Sequence, residues 1–404
     1  MGNNRKRALW ALPLALAIAA TACGSSSKSG TAATTTTAAA ASSTTGGSST
    51  GSGGGSLADV NLKGVCPDTV VIQTDWFPEA EHGTLYQMVG DSPTIDASKK
   101  LVRGKLMAPG GKDTGVNIEI RTGGPAIGFQ TVVSQLKQDP NILLGYVATD
   151  EAIENYKDVP TKAVVAPLEI NPQIIMWDPA TYPDVKTIAD LQKKNVTIRY
   201  FQTGAYMKYM VNSGQVKQSQ LDGSYDGSPA VFTAQGGKIA QQGFASAEPY
   251  TYQNLIKEWA KPVSYQLIHD AGWTTYAAPL AVTQDKFEKN KPCFKKLVPI
   301  VQQSAVDYSK SPDKANALIV KAVQEYKDFW VYSSDLAKYA DDTMKKLGLV
   351  GNGPDKTIGN FDEQRLTEFI KKALPVFAAK NPPADLKWSD LVTNEFIDTS
   401  IGLS

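Results

Sequence analysis

The densest cluster of side chains able to do chemistry is Asp75-Trp76-Phe77-Pro78-Glu79-Ala80-Glu81-His82-Gly83, directly after the strand-like run TVVIQT at 69–74. Trp76 and Phe77 offer flat apolar faces suited to a planar ring. Asp75, Glu79 and Glu81 offer carboxyl groups suited to amino groups or a cation, and His82 adds a titratable imidazole. The same residues also read as lobe core (Trp76, Phe77), a solvated acidic turn and a structural helix-start histidine, and the sequence leaves both readings open. Thr122-Gly123-Gly124-Pro125 joins a strand to a helix, so its backbone amides can face a ligand. It lacks the GxGxxG spacing, and an ordinary turn explains it equally well. Thr149-Asp150-Glu151 and Gln202-Thr203-Gly204-Ala205 carry hydrogen-bonding groups to the starts of helices, where Thr149 and Thr203 also serve as caps. Glu248, before Pro249 and beside Tyr250, either holds a ligand amine or caps the helix that follows. Trp273 and Tyr276 either close over a ligand or pack a hinge.

Other chemistries find little support. The chain has no Gly-x-Ser-x-Gly, no HExxH and no Walker sequence, and neither His82 nor His269 stands in a recognisable motif. Two histidines and three cysteines make a zinc site improbable, so no metal, cofactor or catalytic residue is assigned and the protein is not read as an enzyme. The formal net charge is +1, from 41 Lys+Arg against 40 Asp+Glu, which removes the electrostatic case for nucleic acid. Past the first twenty-two residues the only arginines are Arg103, Arg121, Arg199 and Arg365, a poor supply for bidentate recognition of anions.

The elements that must position these groups lie behind an address. Arg5-Lys6-Arg7 and the apolar stretch 8–22 read as a signal peptide over 1–22, too short to span a bilayer as a stable helix. It ends Ala20-Thr21-Ala22-Cys23-Gly24, which resembles a bacterial lipobox with Cys23 as the lipidated residue. Residues 24–56 are almost wholly Gly, Ser, Thr and Ala and cannot bury enough apolar surface to fold, so 23–65 reads as a lipid anchor with a flexible tether. Cys66 and Cys293 remain, an even number in an oxidising compartment. A disulfide is the favoured reading and two free buried thiols the other.

From Cys66 onward strand-like and helix-like runs alternate: strands at 69–74, 116–121, 142–146, 164–168, 173–177, 196–200 and 243–246, and helices at 127–137, 188–194 and 206–213. Pro249 suits the first turn of a further helix. Thr187, with Asp190 three residues on, is an expected N-cap. Beyond 283 the pattern is helical, at 295–308, 312–332, 334–347 and 362–377. This alternation predicts an α/β protein with largely parallel sheets. At 404 residues, two lobes are expected.

The opening motif Asp75–Gly83 carries a resemblance, supported in order by Gly145-Tyr146-Val147-Ala148-Thr149-Asp150-Glu151, Thr187-Ile188-Ala189-Asp190-Leu191, Ala247-Glu248-Pro249-Tyr250 and Leu391-Val392-Thr393-Asn394-Glu395-Phe396-Ile397. Across roughly 66–400 the chain resembles the substrate-binding lipoproteins of ABC importers for thiamine pyrimidine precursors, nitrate, taurine and alkanesulfonates, with the opening motif closest to the thiamine-precursor branch. The resemblance implies a two-lobed type II periplasmic-binding-protein fold with a hinge and an interlobe cleft. Lobe 1 would comprise 66–165 plus 275–404 and lobe 2 would comprise 166–274. It also implies a lipid-anchored monomer on the outer face of the membrane that passes a small molecule to an ABC permease. The expected ligand residues are Asp75, Trp76, Phe77, Glu81, His82, Gly123, Gly124, Asp150, Glu151, Thr203, Glu248, Tyr250 and Trp273. Carboxylates and aromatics dominate the matched segments, so a planar nitrogen heterocycle is expected over a sulfonate or nitrate. An exported enzyme acting on a small heterocycle is the remaining alternative, although the clustered cysteines of the related fungal pyrimidine synthase are absent. Residues 91–114 are an insertion relative to that family, expected to form a surface loop or a lid.

Overall fold

The computed structural model describes Leu57 and residues 59–404; the signal segment, Cys23 and most of the Gly/Ser/Thr/Ala tract lie outside the described residues. The described residues form twelve strands: β1 (Thr69–Gln73), β2 (Thr94–Asp96), β3 (Leu101–Ala108), β4 (Lys112–Arg121), β5 (Leu144–Tyr146), β6 (Thr161–Val165), β7 (Gln173–Trp177), β8 (Ile198–Arg199), β9 (Leu221–Asp222), β10 (Ala240–Phe244), β11 (Ser264–Leu267) and β12 (Leu280–Thr283). They make two sheets, ordered β2-β3-β4-β1-β5-β12-β6 and β11-β7-β10-β8-β9.

In the first sheet β4, β1 and β5 run parallel, whereas β12 enters antiparallel between β5 and β6 after the chain has built the second sheet and returned. The central strands are buried on both faces, which accounts for their near-continuous apolar runs (burial of Val70, Ile72, Ile118, Ile120 and Leu144 is essentially complete). In the second sheet β8 and β10 are parallel and β7 is antiparallel to β10, so Gln173 at the start of β7 lies opposite Phe244 at the end of β10. Two crossovers, residues 166–172 and 268–279, connect the sheets. One side chain clamps both: Arg365 Nη1 donates to the Glu169 carbonyl (2.7 Å) and carboxylate (3.0 Å), Nε donates to the Thr274 carbonyl (3.0 Å), and the guanidinium stacks 3.8 Å over Tyr276.

Several elements depart from the sequence expectation. Residues 91–114 form neither loop nor lid. They fold as β2, β3 and the start of β4, an antiparallel meander that extends the sheet edge. The strand expected at 164–168 is shifted, to Thr161–Val165. The helix expected at 295–308 runs from Gln284 to Lys310 straight through Pro292 and Pro299. Its buried stripe of Phe287, Phe294, Leu297, Val298 and Val301 outweighs the two lost amide donors. The helix expected at 312–332 spans only Asp313–Tyr326, because Lys327 turns left-handed (φ 52°) and releases Asp328–Tyr332 as a loop. The capping box of Thr187 and Asp190 forms as expected.

Order also begins ahead of Cys66, inside the stretch read as tether. Leu62 is fully buried and its amide donates to the Thr114 carbonyl (2.8 Å), while Asp59 pairs with Lys296 (2.7 Å). Cys66 and Cys293 are joined in a disulfide, Cα atoms 4.7 Å apart, fastening this entry segment to the long helix.

Candidate functional site

The ends of β1, β4 and β5 in one sheet face the ends of β8 and β10 and the start of β7 in the other, where open α/β sheets generally place ligands. The space between them is a cleft of two joined chambers. One, of about 470 Å³, is lined by Trp76, Phe129, Phe201, Tyr225 and Trp330 together with Glu79, Glu151, Asp226 and Glu248. The other, of about 940 Å³, is lined mainly by amide, hydroxyl and carboxyl side chains. Asp75, Thr131, Glu151, Phe201, Gln202 and Thr203 border both.

The first chamber is built by the turns after β1 and β4. Buried Gln73 donates to the carbonyls of Thr74 and Thr122 (both 3.0 Å), and the Gly123 amide donates to the Trp76 carbonyl (3.0 Å), so the two turns are tied together. Gly124 sits at φ +57°, and a Cβ there would meet the Trp76 ring at 2.4 Å. The glycine is therefore required for the indole to lie flat over the turn. The Trp76 ring stands 5.8 Å from Phe201 of the opposite lobe and 6.3 Å from Phe129, and Phe201 stands 4.8 Å from Tyr225. The two lobes also meet where Ser246 Oγ donates to the Glu81 carboxylate.

The electrostatics of this chamber are acidic. Glu79 is 5% exposed, and among the described residues its carboxyl has no hydrogen-bond partner. Burial, reinforced by Glu81, Asp75 and Glu248, holds it well above the ordinary carboxyl range. Burial also raises Glu81, opposed by its bond from Ser246. Glu151 is pushed up to about 8 by burial although the Val133 amide donates to it (2.8 Å), with Asp150, Asp75 and Glu154 adding to the rise. Glu248 is pushed up to about 7 by burial, against a donated bond from the Phe244 amide (2.6 Å). Both arginines nearest the strand ends are ion-paired. Arg121 pairs with Glu119 (2.7 Å) and Asp139 (2.6 Å), while Arg199 lies between Asp222 and Asp226, 3.7 Å from each, with its Nη1 making no hydrogen bond among the described residues. Such a chamber accepts a flat ring and favours hydrogen-bond donors or positive charge on its edge.

The structure brings Asp75, Trp76, Gly124, Glu151, Thr203 and Glu248 together on the cleft wall. His82 stands one layer behind: it is fully buried, and its Nε2 lies 2.9 Å from Asp75 Oδ1, steering that carboxylate. Glu81 contributes to the lobe contact described above. Asp150 borders the larger chamber, yet its carboxylate accepts bonds from Trp273 Nε1 (3.0 Å) and Thr275 Oγ1 (3.1 Å) and so ties the helix Thr149–Glu154 to the second crossover.

Four expected residues do not reach the cleft. Phe77 is core, its ring nearly parallel to Trp330 (centroids 6.3 Å apart), because the residue after Trp76 points to the opposite side of the chain. Gly123 packs under Thr74, whose carbonyl would be 2.2 Å from an added Cβ. Tyr250 turns outward against Tyr339 (5.3 Å). Trp273 is wholly buried among Tyr209, Phe369 and Phe377.

Sequence reasoning missed Phe129, Tyr225, Trp330, Gln173 and Gln242, and left Glu79 out of the final set. A signal existed for Trp330. Phe329-Trp330-Val331-Tyr332 is a consecutive apolar run that no single helical stripe can bury, which argues against continuing the helix through it.

No family model and no curated protein matches the sequence. Solved structures do match. The chain is similar to the periplasmic aliphatic sulphonate binding protein from Escherichia coli, with TM-score 0.52 and 15% identity over 81% of this chain and 92% of that one. It is also similar to a protein from Bordetella bronchiseptica RB50, with TM-score 0.51 and 15% identity over 81% of this chain and 95% of that one. At such identity the likeness concerns the fold, a two-lobed type II periplasmic-binding-protein architecture with a hinge and an interlobe cleft.

Proposed function

We propose that the protein is an extracytoplasmic solute-binding receptor of an ABC importer, closing two lobes (66–165 plus 275–404, and 166–274) over a small planar nitrogen heterocycle. In this reading Cys23 carries the lipid that holds it at the outer face of the membrane, residues 24–56 are its tether, and a permease receives the ligand from a monomeric receptor.

The observation that carries the ligand class is the combination, in one chamber, of the aromatic rings of Trp76, Phe129, Phe201, Tyr225 and Trp330 with the carboxyls of buried Glu79 and half-buried Glu151 and Glu248, and no arginine on its wall. An amino-substituted ring stacks on such faces and donates its N–H groups to such carboxyls. A carboxyl that stays protonated near neutral pH can in addition donate to a ring nitrogen while its carbonyl oxygen accepts from the adjacent amine. A sulfonate, the ligand class named for the E. coli protein, would face the Asp75 and Asp226 carboxylates and find no arginine on the chamber wall, Arg121 and Arg199 being paired with acids behind it.

A receptor also returns its ligand unchanged, whereas an enzyme does not. Native mass spectrometry of the purified protein, followed by identification of whatever is released on denaturation, tests the reading. A nitrogen heterocycle recovered intact supports it; a sulfonate, or a chemically altered heterocycle after incubation, refutes it.

A further inference from the structure

A single-ring heterocycle occupies only the smaller chamber. The adjoining chamber, about 940 Å³, is twice as large and by itself near the top of the range that holds a drug-sized ligand, roughly 300–1,000 Å³. The lobes already touch at Trp76–Phe201 and Glu81–Ser246, so this volume belongs to a cleft whose walls are in contact.

Several of its charged groups are already engaged. Lys380 pairs with Glu154 (3.5 Å), Lys208 donates to the Val376 carbonyl, and Asp150 is held by Trp273 and Thr275. Beside the Asp75 and Glu151 carboxyls that it shares with the first chamber, this wall offers amides and hydroxyls: Gln202, Thr203 and Gln218 make no side-chain hydrogen bond among the described residues, and Asn155 uses only its Nδ2, on the Glu151 carbonyl. Amides and hydroxyls that present both donors and acceptors match a substituent that does the same.

Accepting the heterocycle reading above, we infer that the ligand is bipartite: a flat nitrogenous ring in the aromatic chamber carrying an uncharged, hydroxyl-bearing tail, of the size of a sugar, that crosses the Thr131–Thr203 border into the polar chamber. The receptor then prefers nucleoside-like compounds to free bases, and Gln218, which borders only the polar chamber, reads the tail.

Calorimetric titration of the full chain with matched pairs, cytosine against cytidine and adenine against adenosine, tests this. In at least one pair the tailed compound binds tenfold or more tightly than its bare base. Gln218→Leu then weakens the tailed compound three- to tenfold, as expected for one lost neutral hydrogen bond, and leaves the base within twofold. A base that binds as tightly as its nucleoside overturns the inference and leaves the heterocycle reading standing. A tail advantage that survives Gln218→Leu overturns it as well, because the tail then lies elsewhere. Binding of neither member of either pair overturns both.

Discussion

Glu151 and Glu248 are the residues at which acidity and burial conflict most openly. Both bind protons in the folded state at pH values where an unfolded Glu, near 4.5, has released them, since burial holds them up to about 8 and about 7. Between about pH 4.5 and 8 the folded state therefore carries more protons than the unfolded one, and stability falls as pH rises through that window. Thermal melts of ligand-free protein will show this as a decline in Tm from pH 5 to pH 8.5, and Glu151→Gln will flatten the decline. An identical slope in the variant would mean that Glu151 titrates normally. Glu248→Ala, by removing a carboxyl that meets the ligand's donors, will weaken binding roughly ten- to hundredfold, the equivalent of about 1.5–3 kcal/mol for a hydrogen bond with a charged partner. Calorimetry of the released ligand rebound to wild type and variant checks it. An unchanged affinity would reduce Glu248 to a group that holds the Phe244 amide. At this scale the sequence was informative where a motif clustered unusual residue types, as at Asp75, Trp76 and Glu248. It was silent on which side of the chain each faced, so Phe77 and Trp273 proved to be core.

The element that does most to shape the aromatic chamber is the turn after β4. Gly124→Ala adds a methyl group at φ +57° and forces it against the Trp76 ring, so the indole must move. The expected result is a loss of ligand affinity of tenfold or more, with a changed tryptophan emission spectrum and only a modest drop in Tm. Retained affinity with an unaltered spectrum would contradict the role given to Trp76. Strands β1, β4, β5, β6, β7, β8 and β10 were readable in the sequence, within a few residues, from their apolar runs, and the Thr187–Asp190 box marked its helix, whereas β2, β3, β9, β11 and β12 were not read as strands. The misread elements are those in which tertiary packing decides. The long helix continues through two prolines because its apolar face is covered. The helix after it stops at Lys327, where the following run of apolar residues is needed over Trp76 and Phe77.

For the whole molecule, the α/β class follows from the alternation of elements, but the sheet order, the antiparallel entry of β12 and the clamp of Arg365 on both crossovers depend on contacts between residues far apart in the chain, which no local pattern encodes. The Cys66–Cys293 disulfide is the longest covalent constraint, with a sequence separation of 227. In the chain-entropy picture a loop of that length stabilises the fold by about 5 kcal/mol. The double variant Cys66→Ala/Cys293→Ala will unfold at distinctly lower denaturant than wild type, with a similar dependence on denaturant and an unaltered affinity. An equal midpoint would show that the entry segment is held by Leu62 and its neighbours alone.

The central claim is that this cleft selects a nitrogen heterocycle by stacking and by carboxyl groups, and rejects anions. Side-by-side calorimetric titration, at pH 7.5 and after removal of any bound ligand, of an amino-substituted pyrimidine series that includes the nucleoside forms against taurine and a short alkanesulfonate tests it most directly. Saturable one-to-one heat from a member of the pyrimidine series and none from either sulfonate is the predicted result. Tight binding of a sulfonate, with no heat from any of the pyrimidines, would contradict it.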